Sequence, residues 1–162
     1  MNITEEKLLT FSLGTEGYGI PILKVKEIIG MMHITPVPKT ADFVKGIINL
    51  RGKIIPVMDL RTKFGMEEKE YNERTCILVI EIEMMNVQKL LGVVVDTVSE
   101  VVSITSDAIE PPPECGSDVE QNFILGIGKL KDRVVIILDI DNIFINDDVT
   151  KIFSKTEEIK NV

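Results

Sequence analysis

An internal repeat constrains the fold of this chain more than any other feature of its sequence. Residues 46–60 align without a gap on residues 126–140, and Phe43, three positions upstream, falls on Phe123 in the same register. A unit this short cannot bury a deep hydrophobic core by itself, so duplicated units are expected to pack against each other. The repeat therefore predicts two equivalent halves that share apolar surface.

The repeat continues on the N-terminal side of these blocks. Residues 19–28 are similar to residues 92–101, and a proline-bearing segment follows in each half, at 35–38 and at 111–113. The blocks occur in the same order in both halves. This order favours duplication over chance similarity between short apolar strands.

Short apolar runs separated by turn residues dominate the chain. β-branched residues are frequent in the runs and glycines mark the connections, a pattern typical of an all-β sandwich or of small barrels. The predicted strands are residues 8–13, 18–22, 46–50, 53–58, 76–82, 90–95, 123–130 and 133–138. Helices are predicted to be minor: one turn at 42–45, short helices at 59–65 and 139–144, and a frayed helix or disorder at 149–162.

Charge and hydropathy narrow the classes of partner. The 162 residues carry a formal net charge of −8, which makes phosphate backbones and anionic lipid headgroups poor partners. Apolar runs stay well below the roughly 20 residues that a membrane-spanning helix needs. Cys76 lies in an apolar run and Cys115 follows a proline-rich segment, so the two are a weak disulfide candidate. We expect a soluble cytoplasmic protein without nucleic-acid or direct membrane contact.

Candidate catalytic and metal-binding residues are few. His33 is the single histidine, and no neighbouring serine or cysteine in the sequence supports a triad. Metal sites usually need clustered His and Cys, a pattern that this sequence does not have. Asp59 and Asp139 match each other in the repeat and could do acid–base chemistry if they were close, but capping of the two short helices explains them better. The sequence predicts no enzyme, no metal site and no cofactor.

Residues in the first half suggest a contact surface. Strand alternation predicts that Val25, Glu27 and Ile29 share one face. Because a buried carboxylate without a partner is costly, a Glu on this face indicates a partly open groove rather than a dry core. Arg51, between two strands, is either an ordinary exposed cation or an orienting ion-pair partner of Glu27. Its position alone favours the first interpretation.

The longer motifs of these regions resemble the CheW family. They are residues 18–20 with 25–28, then 43–52, 55–61, 95–101, 109–113 and 123–130. The resemblance extends over residues 8–144, nearly the whole chain. Its most specific part is the Asn-Leu-Arg-Gly sequence at 49–52 followed by Pro-Val-Met-Asp-Leu-Arg at 56–61.

The resemblance implies a fold of two small SH3-like five-stranded β-barrels packed around a shared core. The CheW-like domain would span residues 1–146, with lobe one at about 8–70 and lobe two at about 71–146. The first strand would be able to exchange between the lobes. Residues 147–162 would form a C-terminal helix or a flexible tail.

The resemblance also implies a function. Members of the family are non-enzymatic adaptors that bridge the regulatory domain of the CheA histidine kinase and the cytoplasmic tip of chemoreceptors. The positions that match the partner-binding groove of the family are Val25, Glu27, Gly46, Arg51 and Ile77. We expect a protein that is monomeric when free and is recruited in the cytoplasm to receptor arrays at the inner membrane.

Alternatives stay open at this point. CheW-like modules also occur in receiver-fused coupling proteins and in the regulatory domain of the kinase, and an unrelated ligand-binding β-barrel would share the strand pattern. The sequence has no receiver or ATPase motifs, which favours a stand-alone adaptor. The charge of −8 and the 5% aromatic content oppose a barrel that binds oligonucleotides.

Overall fold

A computed structural model of the chain describes residues 4–84, 86–112, 123–144 and 153. These residues include eleven strands, two one-turn helices and the loops that connect them. The strands are β1 (Glu5–Leu13), β2 (Glu16–Pro21), β3 (Val25–Gly30), β4 (Val44–Leu50), β5 (Lys53–Asp59), β6 (Cys76–Met84), β7 (Val87–Val95), β8 (Thr97–Thr105), β9 (Ile109–Glu110), β10 (Ile124–Lys129) and β11 (Val134–Leu138). The helices are α1 (Leu60–Lys63) and α2 (Ile140–Ile143), and single 3-10 turns lie at Ile22–Lys24 and Ser106–Ala108. The predicted all-β class with minor helices is confirmed.

The strands form two sheets, and each sheet takes strands from both halves of the repeat. The five-stranded sheet has the order β3-β6-β7-β5-β4, and the six-stranded sheet has the order β8-β1-β2-β11-β10-β9. The hairpin β6–β7 therefore joins strands of the first half, and the hairpin β1–β2 joins strands of the second. Two parallel pairs, β5 with β7 and β11 with β2, attach the exchanged hairpins.

The hydrophobic core has three clusters, and successive residues of the central strands belong to different clusters. Ile77 and Val79 of β6 pack into an inner cluster of the five-stranded sheet, whereas Leu78 and Ile80 point to the opposite face. That face contributes to a central core between the two sheets, to which β1, β2, β5, β6, β7 and β11 all contribute. A further cluster packs against β1 and β11 on the far side of the six-stranded sheet. Because both faces of β6 are buried, its sequence is a nearly continuous apolar run.

The exchange of hairpins bears on the predicted lobes. Contiguous lobes at about 8–70 and 71–146 do not coincide with the two sheets, because β1 and β2 belong to one sheet and β3, β4 and β5 to the other. The predicted exchange named the first strand, whereas in the structure a two-stranded hairpin from each half joins the strands of the other half. The predicted tail at 147–162 lies outside the described residues except for Phe153, which is buried against the central core.

The two halves repeat at an offset of 80 residues in structure as in sequence. The hydrogen bond from Asp59 N to Phe43 O recurs as a bond from Asp139 N to Phe123 O, and both are 2.7 Å long. The helices α1 and α2 and the bulges in the β4–β5 and β10–β11 pairs follow the same offset. The gapless alignment of the sequence therefore reflects equivalent backbone geometry.

The helical turn predicted at 42–45 is wrong. Val44 N donates to Ala41 O at 2.9 Å, which closes a turn, and Val44 already belongs to β4. The Thr40 hydroxyl donates to Val37 O at 3.0 Å, toward the preceding segment and away from the turn. Pairing of β4 with β5 overrides the weak local preference for a helical turn.

Candidate partner-binding groove

A surface groove of about 630 Å³ lies on the five-stranded sheet. Its apolar lining comes from Leu50, Ile55, Val79 and Leu90, and its charged lining from Lys26, Glu27, Arg51, Lys53 and Glu81. All five strands of the sheet and the β4–β5 turn contribute. We call this set of residues the groove.

The β4–β5 turn positions Arg51 over the groove. Arg51 has φ 52° and Gly52 has φ 88°, so both central residues of the two-residue hairpin loop lie in the left-handed region, as a type I′ turn requires. Asn49 Oδ1 accepts a hydrogen bond from Gly52 N at 2.9 Å and holds the loop closed. The Asn-Leu-Arg-Gly sequence thus encodes a turn that points the guanidinium toward β3.

Arg51 and Glu27 form a two-pronged ion pair across the groove. Arg51 Nη1 donates to Glu27 Oε1 at 3.0 Å, and Nη2 donates to Oε2. The Arg51 side chain is 70% exposed and that of Glu27 is 33% exposed. Arg51 is therefore not an ordinary exposed cation, although its position alone favoured that interpretation. The ion pair is still accessible to a binding partner.

The hydrogen bonds of the pair also favour the charged form of each group. They lower the pKa of Glu27 below its usual value, against the smaller opposing effect of partial burial. The same hydrogen bonds raise the pKa of Arg51. Both groups stay charged at neutral pH and orient each other.

Among the other charged residues of the groove, Lys26 and Glu81 form an ion pair and Lys53 does not take part in one within the described residues. Lys26 Nζ lies 3.4 Å from Glu81 Oε2, in a partly exposed ion pair. Within the part of the chain that the structure describes, Lys53 forms no ion pair. The groove therefore carries a local surplus of positive charge in a chain whose net charge is −8.

A β-bulge separates Val25 from the groove. Val25 pairs with Ile80, and Glu27 pairs with Val79. The intervening Lys26 is therefore an extra residue of β3, with no residue of β6 between the two partners. Because adjacent residues of a strand point to opposite faces, Val25 lies on the face of Ile80 and Glu27 on the face of Val79. Val25 accordingly packs against the central core, while Ile29 packs into the inner cluster. The prediction that all three residues share one face is wrong for Val25.

Gly46 and Ile77 also lie away from the lining of the groove. A Cβ atom on Gly46 would overlap the carbonyl oxygen of Thr35, whose segment pairs with Ile47 in an isolated bridge. Ile77 is fully buried in the inner cluster. The structure thus brings Glu27 and Arg51 together and places Val25, Gly46 and Ile77 in the supporting sheet. A binding role for these five residues remains a prediction.

Several lining residues of the groove were not among the residues predicted from the sequence. Leu50 and Lys53 flank the Arg51-Gly52 turn, so a wider reading of that turn would have included them. Val79, Glu81 and Leu90 arrive on the exchanged hairpin β6–β7. No local pattern in the sequence signals that exchange.

The two repeated aspartates, Asp59 and Asp139, form hydrogen bonds with groups close to them in the chain. Asp59 caps α1, since its Oδ1 accepts from Thr62 N at 3.3 Å, and its Oδ2 accepts from the Tyr71 hydroxyl at 2.7 Å. Asp139 precedes α2, and its Oδ2 accepts from Asn142 Nδ2 at 2.7 Å. Capping by the side chain is confirmed at Asp59, whereas Asp139 bonds a side-chain amide instead.

Other candidate groups form no constellation in the described ranges. No group of three or more His, Cys, Asp or Glu side chains there is placed to hold a metal ion. Cys76 is a free thiol, and Cys115 lies outside the described residues. None of the helices in these ranges has the length and apolar character needed to cross a bilayer.

Comparison with known proteins identifies close relatives over most of the chain. The family model described as CheW-like domain matches residues 7–147. The chain is 40% identical over 144 residues to "Chemotaxis protein CheW" of Klebsiella aerogenes, covering 89% of this chain and 84% of that protein. It is 37% identical over 141 residues to "Chemotaxis protein CheW" of Helicobacter pylori, covering 87% and 82%.

A solved structure supports the same relationship. The scaffolding protein TtCheW from Thermoanaerobacter tengcongensis superposes with a TM-score of 0.78 at 38% sequence identity. The match covers 90% of this chain and 96% of that chain. The two-sheet arrangement is therefore shared with a crystal structure.

Proposed function

The chain belongs to the CheW family and is a chemotaxis coupling protein, and we propose that it joins the regulatory domain of the CheA histidine kinase to the cytoplasmic tip of chemoreceptors. It does so as a non-enzymatic adaptor in signalling arrays. The protein works in the cytoplasm, at arrays on the inner membrane, and is monomeric when free.

The groove is the observation that carries this proposal. An apolar floor beside an oriented, open ion pair suits an amphipathic helix, whose apolar side chains fill the floor while polar groups meet the rim. The surplus positive charge at Lys53 favours a partner with a carboxylate near its apolar face. Both the kinase regulatory domain and the receptor tip can present such a surface, and titration with each partner distinguishes them.

An adaptor of this kind acts by coupling binding equilibria. A micromolar contact corresponds to about −8 kcal/mol, and burying one exposed Leu or Ile side chain contributes roughly 1.5–3 kcal/mol. Repetition of weak contacts in an array raises the overall affinity. The adaptor transmits a receptor signal if it binds two receptor states with unequal affinity.

The groove residues support recognition rather than chemistry. Glu27 and Arg51 neutralise each other, and Asp59 and Asp139, the one carboxylate pair that the repeat suggested for catalysis, are engaged in local hydrogen bonds. These engagements fit an adaptor that has no substrate to transform.

Calorimetric titration with each partner tests the proposal. Purified chain is titrated with the kinase regulatory domain and, separately, with a receptor-tip fragment, in wild type and in Arg51→Glu. Arg51→Glu sets two carboxylates against each other at the groove, so we expect affinity for at least one partner to fall about tenfold or more. The double variant Glu27→Arg/Arg51→Glu restores an ion pair and should recover part of the loss.

Arg74→Glu is the matched control, because Arg74 is exposed and lies outside the groove, yet the change in charge is the same. Circular dichroism establishes that all variants are folded. Wild-type chain that binds neither partner would overturn the proposed function. An Arg51→Glu protein that binds both partners as Arg74→Glu does would remove the groove from it.

A further inference from the structure

Two ion pairs join the halves of the repeat at similar places. Arg61 is the second residue of α1, and Asp141 is the second residue of α2, so the two positions match at the offset of 80. Each side chain crosses to the other half of the chain. Arg61 meets Asp96, directly after β7, and Asp141 meets Lys24, in the 3-10 turn after β2. β7 and β2 are themselves equivalent, since each pairs in parallel with the last strand of the other half.

The first clamp, Arg61 with Asp96, is largely buried. Arg61 Nη1 lies 2.7 Å from Asp96 Oδ2, and the two side chains are 14% and 10% exposed. Asp96 Oδ2 also accepts from Gly14 N at 2.7 Å, at the β1–β2 turn. The clamp therefore joins a helix, a hairpin tip and a turn drawn from both halves.

The second clamp, Lys24 with Asp141, has the same construction. Lys24 Nζ lies 2.6 Å from Asp141 Oδ2, with side chains 32% and 29% exposed. Asp141 Oδ1 accepts from Glu83 N at 3.0 Å, near the end of β6. In both clamps the carboxylate thus binds a cation across the halves and a backbone N–H at the end of a hairpin strand.

The two clamps have opposite polarity, and from this we infer that they select pairing between unlike halves of the repeat. The helix carries the cation in the first clamp and the anion in the second. In the alignment of residues 19–28 with 92–101, Lys24 lies one position beyond the counterpart of Asp96. If like halves of two copies exchanged hairpins, Arg61 of one copy would therefore come close to Lys24 of the other, and Asp141 would come close to Asp96. Each such pair would combine one largely buried charge, Arg61 or Asp96, with one partly exposed charge of the same sign. Like charges in such contacts are unfavourable, so pairing of like halves is opposed at both clamps.

Selective pairing of unlike halves would prevent dimers that form by hairpin exchange between two copies. The halves have equivalent backbones and already exchange hairpins within one chain, so like halves of two copies could exchange hairpins as well. Apolar surfaces alone discriminate weakly between two similar halves. Clamps of reversed polarity supply the repulsive element that specific pairing needs.

The test gives both clamps the same polarity. In Lys24→Asp/Asp141→Lys the second clamp keeps an ion pair within the chain, but pairing of like halves now brings opposite charges together. The protein is unfolded in urea and refolded over a range of concentrations, and its dimer content is measured by size exclusion with light scattering. We expect the dimer fraction at high concentration to rise about tenfold or more over wild type.

Crosslinking identifies the kind of dimer. An equal mixture of ¹⁴N- and ¹⁵N-labelled variant is refolded together and treated with a zero-length carboxyl-to-amine crosslinker. Pairing of like halves places the amine introduced at position 141 beside Asp96 of the other copy, so mixed-isotope peptides joining these positions are expected. Dimers that lack this crosslink contradict the inference.

A second variant covers poor folding of the first. Lys24→Gln/Asp141→Asn removes the repulsion without reversing it and keeps a carbonyl acceptor for Glu83 N, so we expect a smaller rise in dimer content. The matched control is Glu110→Lys/Lys129→Glu, which reverses an exposed pair within the second half and should refold as wild type does. If neither clamp variant forms more dimer than this control, the inference is wrong.

Discussion

Gly46 shows how a single residue is dictated by a neighbouring segment. Its φ of 141° and the close approach of the Thr35 carbonyl leave no room for a Cβ atom. The equivalent Gly126 faces Glu110, whose carbonyl oxygen would lie 2.9 Å from an added Cβ. Both glycines thus let a proline-bearing segment lie against a bulged strand.

Gly46→Ala should therefore destabilise the fold strongly. We expect a loss of about 3 kcal/mol or more, because the change adds backbone strain and displaces the Thr35–Ile47 hydrogen bonds. Gly30→Ala is the control, since nothing lies within 4 Å of its added Cβ. Urea denaturation measures both, and equal midpoints for the two variants would contradict this explanation.

Tyr71 is a second residue whose role is visible only in the structure. Burial, and then its hydrogen bond to Asp59, raise the pKa of the Tyr71 hydroxyl. A raised pKa in the folded state means that the fold favours the protonated phenol. The stabilisation is fully present below the unfolded-state pKa of about 10 and is lost as the pH rises above it.

Tyr71→Phe should cost about 1–2 kcal/mol at neutral pH, because Asp59 loses a hydrogen-bond donor. Above pH ~10 the wild type should lose stability more steeply than the variant. Urea denaturation midpoints, measured from pH 7 upward until the wild type unfolds, give the change of stability with pH for both proteins. Parallel pH profiles would show that Tyr71 does not titrate with unfolding.

β-bulges are the features of individual strands that the alternation of apolar and polar residues does not predict. The eight predicted strands and the helix starts after Asp59 and Asp139 follow from local sequence and lie close to their observed limits. The predicted strands did not include β8 and β9, and β3 was anticipated only through the alternation of its residues. The bulge between Val25 and Glu27 depends on the partner strand, so alternation alone assigned Val25 to the wrong face. The ion pair of Glu27 with Arg51 was one of two interpretations, and position alone favoured the other, because the turn sequence does not show which strand the guanidinium faces.

The bulge in the β1–β8 pair has its own side-chain support. Thr10 is fully buried, and its hydroxyl donates to Glu100 O at 2.7 Å and accepts from Glu100 N at 3.2 Å. These two bonds satisfy backbone groups that the bulge removes from the ladder. A threonine inside an otherwise apolar strand is thereby explained.

Thr10→Val should cost about 1–3 kcal/mol, since it leaves the backbone groups of Glu100 without partners. Ser103→Ala, at an exposed position of β8, is expected to change stability by less than about 0.5 kcal/mol. Thermal unfolding of the two variants provides the comparison. A Thr10→Val protein as stable as Ser103→Ala would mean that the hydroxyl contributes nothing to the bulge.

At the scale of the whole molecule, the exchanged hairpins make one unit of two halves. The repeat predicted two packed units, but not that each sheet would be built from both. Strand exchange depends on pairing between residues far apart in the chain, such as Val57 with Gly92, which no local pattern encodes. The same distance explains why the groove residues on β6 and β7 were missed.

This architecture predicts a single cooperative unfolding transition. Neither sheet can lose its exchanged hairpin without opening the central core that both sheets share. Differential scanning calorimetry should therefore give one peak, with equal calorimetric and van 't Hoff enthalpies. Two separable transitions would indicate lobes that fold independently.

The central claim is that the chain physically connects two other proteins. The most direct measurement immobilises receptor-tip fragments and records retention of the kinase regulatory domain with and without this chain, using Arg51→Glu and Arg74→Glu proteins in parallel. We predict that retention rises with added wild-type or Arg74→Glu chain and is reduced with Arg51→Glu. Kinase-domain retention that does not change when the chain is added, at concentrations above its affinity for each partner, would contradict the account.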